Sequence, residues 1–128
     1  MTTRRQILAV AWLALSISPA MAADPVPFEQ AAFDAAQKAG KPILIEVSAP
    51  WCPICKAQKP VIAKLTKDPR FKDLQVFDID FDSRKDVLKG FKARMQSTLI
   101  AFKGETEVGR SVGETQPEWI EGLVEKTL

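Results

Sequence analysis

Cys52 and Cys55 stand three residues apart where a short apolar strand gives way to a helix, and that junction constrains this chain more than any other feature. Upstream, Ile43-Leu44-Ile45 and Val47 form the nearly continuous apolar run of a strand buried on both faces. Downstream, residues 53 to 66 are mostly good helix formers. With Cys52 as N-cap, Pro53 takes the first helical position, where its missing N–H is no loss and its fixed φ is already helical. The Cys55 N–H then points at the Cys52 sulfur. The helix dipole adds partial positive charge there, worth about 0.3–1 kcal/mol at an exposed site. Both effects favour thiolate over thiol, and cysteines so placed have pKa values of roughly 3.5–7.5. A thiolate attacks disulfides, and a second thiol one turn away can resolve the resulting mixed disulfide.

Composition narrows the alternatives. The chain has no histidine, which excludes imidazole acid–base catalysis and imidazole metal ligation. Two cysteines cannot make a structural disulfide framework. A zinc or iron–sulfur site wants four ligands, so that alternative needs a dimer sharing thiolates, a carboxylate or an external thiol. A purely structural bridge is a third possibility, but one closing so short a loop constrains little of the unfolded chain. Charge argues against nucleic acid: 18 basic residues face 16 acidic ones, and Arg4 and Arg5 make up the difference.

Arg4 and Arg5 belong to a segment with the layout of a secretory signal. A basic start leads into an apolar run from Ile7 to Ile17, broken only by Ser16; Pro19 follows, then the small-x-small Ala20-Met21-Ala22. As helix this run would span roughly 16 Å, about half a bilayer core, so no stable membrane anchor is expected. The twin arginines also resemble a twin-arginine export signal, with the general secretory route favoured. Cleavage removes residues 1–23 and leaves 24–128 as one domain outside the bacterial cytoplasm, in the periplasm or secreted.

That domain reads as alternating α/β. Phe28 to Ala39 has a helical apolar period, and Gly40 ends it. Val76 to Phe81 alternates Phe77, Ile79 and Phe81 with Asp78, Asp80 and Asp82, a strand with one wet face. Ser83 with Asp86 marks a helix start, and Val87, Leu88 and Phe91 give that helix its core face. Thr98 to Phe102 is a strand, Gly104 begins a turn, and Glu107 to Val112 pairs back antiparallel. Thr115 and Glu118 form a capping box, after which Trp119, Ile120, Leu123 and Val124 make the inward stripe of the last helix.

From about Phe28 to Leu128 the chain resembles the thioredoxin superfamily. Trp51-Cys52-Pro53-Ile54-Cys55-Lys56 is similar to the family's active-site pattern, and Pro60 to the proline within its active-site helix. Glu46 falls where thioredoxins place a buried acid. Thr98 to Lys103 matches the strand beside the site, and Val112-Gly113 a pair before the last helix. The resemblance implies a thioredoxin fold, a central mixed sheet flanked by helices. It implies a thiol–disulfide oxidoreductase with Cys52 attacking, Cys55 resolving and Glu46 shuttling a proton. Its only redox group would be the Cys52–Cys55 disulfide, with no metal or other cofactor. Trp51, Pro53, Ile54, Ser97 and Thr98 would contact substrate.

Two departures from the pattern matter. Ser97 stands where the family has a cis-proline; a cis bond before a non-proline residue costs roughly 2.5–4 kcal/mol, so a trans peptide is expected. Pro53-Ile54 replaces the usual Gly-Pro and brings no histidine, which points to a reducing or intermediate enzyme rather than a strong oxidant. The expected partners are protein thiols and disulfides, with a membrane thiol reductase or oxidase recharging a monomeric protein. A redox-gated binding or chaperone protein is the remaining competitor. Two motif lookalikes carry no chemistry. Asp78-x-Asp80-x-Asp82 lacks the glycine and final acid of a calcium loop. Gly104 to Ser111 lacks the lysine of a phosphate loop.

Overall fold

The computed structural model describes Ser16 and residues 21–128. The expected export signal therefore lies, apart from Ser16 and residues 21–23, outside the described residues. Among the described residues no helix is long and apolar enough to cross a membrane.

Five strands and four helices follow in the order β1 (Val26–Pro27), α1 (Gln30–Lys38), β2 (Pro42–Ser48), α2 (Pro53–Thr66), β3 (Gln75–Asp80), α3 (Lys85–Phe91), β4 (Thr98–Lys103), β5 (Thr106–Val112) and α4 (Pro117–Glu125). The sheet is mixed, with spatial order β1-β3-β2-β4-β5. β2 runs parallel to β3 and antiparallel to β4, which puts it at the centre of the sheet. This is the thioredoxin fold.

The period-two geometry of β2 divides the core. Ile43, Ile45 and Val47 look to one face, where they meet Phe33 of α1 and Leu88 of α3. Phe28, Phe33, Phe77, Phe91 and Phe102 pack there in edge-to-face pairs with centroids 5.2 to 6.0 Å apart. Leu44 looks to the other face, into a cluster with Ile62 and Leu65 of α2 and Ile120, Leu123 and Val124 of α4. Glu46 and Ser48 share the side of Leu44 by the same alternation.

Local expectations need four corrections. α1 begins at Gln30, because Phe28 is fixed one step earlier: its N–H donates to the Asp78 carbonyl at the end of the β1–β3 pairing. α3 begins at Lys85 with Arg84 as N-cap, because the Ser83 hydroxyl is turned to Asp80. α4 has no Thr115–Glu118 capping box; Gln116 is the N-cap, and Glu114 accepts from the Thr115 and Gln116 N–H groups. Trp119 is not inward but 69% exposed, since Ile120, Leu123 and Val124 already complete the buried stripe. Gly104 closes the β4–β5 turn at φ +58°, and a Cβ there would stand 3.2 Å from the Gly40 Cα. Both the dihedral and the close approach favour glycine.

Candidate active site

β2 ends at Ser48, and four residues later Cys52 caps α2. Cys52 has extended backbone, and its sulfur accepts the Cys55 N–H at 3.1 Å. Pro53 occupies the first helical position. The two cysteines are joined as a disulfide with Cα atoms 5.3 Å apart. The sulfurs thus sit at the helix N-terminus, where an orphan N–H and the dipole both stabilise negative charge on Cys52 once the bond is reduced.

The pair is covered from below and flanked by apolar surface above. Cys52 and Cys55 are buried and cluster with Ala49 and Phe81. The Cys55 sulfur lies 3.8 Å from the Val47 carbonyl. Their chain neighbours Trp51 and Ile54 are exposed, by 55% and 39%. Trp51 is held in place by its indole N–H, which donates to Asp82 at 2.9 Å, and by edge-on packing against Phe81.

Glu46 is 1% exposed, on the α2 side of β2. Lys59 lies one turn beyond Cys55 on α2, and its ammonium meets the Glu46 carboxylate at 3.1 Å. The same ammonium is 3.8 Å from Asp78 on the neighbouring strand β3. Asp78 in turn accepts the Ser48 hydroxyl at 2.6 Å. Burial pushes the Glu46 carboxyl above its ordinary value near 4.5; the Lys59 charge pulls it back, and the Asp78 charge pushes it up again. Asp78 is only half-buried, as the alternation suggested, and Lys59 reaches across from α2 to it.

Ser97 and Thr98 enter β4 beside the cysteines. Among the described residues no peptide bond is cis, and Ser97 takes φ +60°. Its N–H donates to the Val47 carbonyl at 2.8 Å, the same carbonyl that neighbours the Cys55 sulfur. Its own carbonyl accepts from the Gly113 N–H and from Gln58 Nε2, each at 3.1 Å. The hydroxyls of Ser97 and Thr98 turn inward to the Gln96 and Met95 carbonyls. Both side chains are buried, so their backbone and position, not exposed hydroxyls, define the wall of the site.

Lys59, Asp78 and Gln58 were missed by sequence reasoning. A signal existed for the first and third: Cys55, Gln58 and Ile62 share a helical face that points to the sheet, and Lys59 borders that face. Gln58 is fully buried, and its Nε2 also donates to the Glu114 carbonyl at 2.9 Å, tying α2 to the segments before β4 and α4. Among the described residues no three Cys, Asp or Glu side chains gather into a group able to hold a metal.

The comparisons with known proteins agree with this geometry. A family model described as thioredoxin matches residues 24–126. The chain is 33% identical over 86 residues to a thioredoxin H-type of Fagopyrum esculentum, covering 67% of this chain and 72% of that protein. The crystal structure of Trxlp from Edwardsiella tarda EIB202 superposes with a TM-score of 0.76 at 40% identity, covering 79% of this chain and 98% of the other. Thioredoxin NaTrxh from Nicotiana alata superposes with a TM-score of 0.71 at 26% identity, covering 86% of this chain and 97% of the other.

Proposed function

The chain belongs to the thioredoxin family, a family of thiol–disulfide oxidoreductases that act on protein disulfides, and we propose, from its N-terminal segment and the residues between its cysteines, that it works outside the bacterial cytoplasm as a reductant or intermediate-potential enzyme. The observation that carries the exchange chemistry is the Cys52–Cys55 disulfide at the N-terminus of α2, with the Cys55 N–H on the Cys52 sulfur.

In the reduced protein the Cys52 thiolate attacks one sulfur of a substrate disulfide. A mixed disulfide forms and the first substrate thiolate leaves. Glu46 takes the Cys55 proton, and the Cys55 thiolate attacks the Cys52 sulfur. The Cys52–Cys55 bond reforms and the second substrate thiolate departs. Two electrons pass from the protein to the substrate, and no other cofactor enters. Trp51, Pro53 and Ile54 give the substrate an apolar edge beside the sulfur. Ser97 and Thr98 serve substrate binding by holding the Met95–Gln96 segment against β2.

The export reading rests on Arg4-Arg5, the apolar run Ile7 to Ile17 and Ala20-Met21-Ala22, with cleavage after residue 23. A protein so placed depends on a membrane thiol reductase or oxidase to reset its cysteines. The reducing lean rests on the absence of histidine between the cysteines.

Two measurements test the reading. Cys55→Ser should trap a mixed disulfide at Cys52 with a substrate protein, while Cys52→Ser should trap none and lose exchange. Exchange that survives both substitutions would sink the mechanism. Titration in graded thiol–disulfide buffers should give a potential well below about −120 mV, with about −270 mV marking a reductant, whereas about −120 mV would make the protein a disulfide donor.

A further inference from the structure

Next to the disulfide the structure holds a second feature that exchange chemistry does not use. A groove of about 570 Å³ runs between α3 and the segment that follows it. Its floor is apolar: Phe81, Leu88 and Ala93. Its rim carries three cations, Lys85, Lys89 and Arg94, against one carboxylate, Asp86. Asp86 leans away to Arg84, 3.7 Å off. Among the described residues no ion pair involves Lys85, Lys89 or Arg94. Lys85 instead lies over the Phe81 ring, its ammonium 3.4 Å from the centroid. Past Lys89 the surface continues into a second depression that adds Lys92.

The groove and the active site share a wall. Phe81 lines the groove, packs edge-on against Trp51 and closes the cluster around Cys52 and Cys55. A protein whose disulfide reaches Cys52 across Trp51 therefore lays its flanking chain beside or over this groove. An apolar floor takes an apolar side chain, and three cations without counter-ions select carboxylates around it.

We propose that this groove is a specificity surface for the protein partner, and that it fits a segment carrying an apolar side chain flanked by Asp or Glu near the reacting disulfide. The proposal rests on the exchange activity proposed above and adds the chemical class of the partner.

The test uses reduced protein and three disulfides. Two are peptides of equal length with the same internal disulfide and a leucine a few residues away, one flanked by glutamates and the other by lysines. The third is 2-hydroxyethyl disulfide, small and uncharged. Wild type should exchange with the acidic peptide about tenfold faster than with the basic one at low salt, and the ratio should fall toward one at about 0.5 M salt. Lys85→Glu/Lys89→Glu/Arg94→Glu should reverse the preference and leave the rate with 2-hydroxyethyl disulfide unchanged. The milder Lys89→Gln/Arg94→Gln, which keeps Lys85 on Phe81, should reduce the ratio and so guards against misfolding of the reversal variant.

Equal rates on both peptides, with 2-hydroxyethyl disulfide exchanged normally, would overturn the docking proposal and leave the activity standing. No exchange with 2-hydroxyethyl disulfide would overturn the activity itself. Self-association of wild type that the charge reversal abolishes, with peptide rates unmoved, would assign the groove to a second copy of this chain and overturn the proposal.

Discussion

Glu46 carries two opposed demands. A carboxylate in a strand under a helix loses its water, and burial raises its affinity for a proton; Lys59 restores part of the charged form from α2. The folded protein thus holds this proton more tightly than the unfolded chain does. Glu46 supports the fold fully below its ordinary value near 4.5, and that support is lost as pH rises through the raised folded value. Glu46→Gln mimics the protonated form, so its stability relative to wild type should climb as pH rises above the ordinary carboxyl value near 4.5 in urea titrations. A difference that stays flat with pH would remove the argument. The same substitution takes away the proton acceptor for Cys55, and the mixed disulfide should resolve about a hundredfold more slowly. Lys59→Met keeps the acceptor but removes the charge that lowers it. The pH–rate profile of resolution should then move alkaline, a displacement that mere loosening of α2 would not produce.

At the scale of elements, α2 holds the site together through its inward face. Pro53 starts it, and Pro60 within it leaves the Lys56 carbonyl without a helical donor. Gln58 then fastens the helix to two loops through the Ser97 and Glu114 carbonyls, while its Oε1 has no partner among the described residues. Gln58→Met forfeits two hydrogen bonds, one buried and one half-buried, but also removes that orphan acceptor. Destabilisation of about 1–2 kcal/mol is expected in chemical denaturation, with slower exchange because the Ser97 wall is freed. Unchanged stability would show that the clamp contributes nothing. α4 provides the contrast. Trp119 sits at the edge of an apolar stripe in sequence, yet it faces outward. Trp119→Ala should change stability by no more than about 0.5 kcal/mol, whereas a core tryptophan would cost about 3–5.

At the scale of the whole molecule, the disulfide is an attachment to a fold that does not depend on it. Two apolar clusters on opposite faces of the sheet hold the domain, and the cysteines form a small cluster at its edge. Closing a loop of this size removes about 2 kcal/mol of unfolded-state entropy at most. Reduction should leave the far-ultraviolet circular dichroism unchanged. For a reductant, the oxidised form is the more stable of the two, so Tm should fall by several degrees on reduction. A Tm that rises instead would mark a stabilised reduced state, the property of a disulfide donor.

The sequence by itself determined the type and order of most elements, though not where α1, α3 and α4 begin, and it placed the redox pair. Periodicity is local: Ile43-Leu44-Ile45 could only be a doubly covered strand, and cysteines on either side of Pro53-Ile54 at the helix start could only converge. The absence of proline at Ser97 was equally legible, and the trans peptide follows. What the tertiary structure decided was partnership across elements. Asp78 alternates with Phe77 and Ile79 like any solvent-facing residue, and only the laying of α2 over β3 gives it Lys59. Trp119 looked inward because a helical stripe has no sharp edge in sequence; the room left by Ile120, Leu123 and Val124 set where that edge falls. Lys85, Lys89 and Arg94 looked like ordinary surface charge until folding drew them around one apolar floor beside the disulfide. Local pattern fixes backbone conformation, because the forces that choose it act within a few residues. Charge pairing and burial depend on distances in space, and those exist only once the chain has packed.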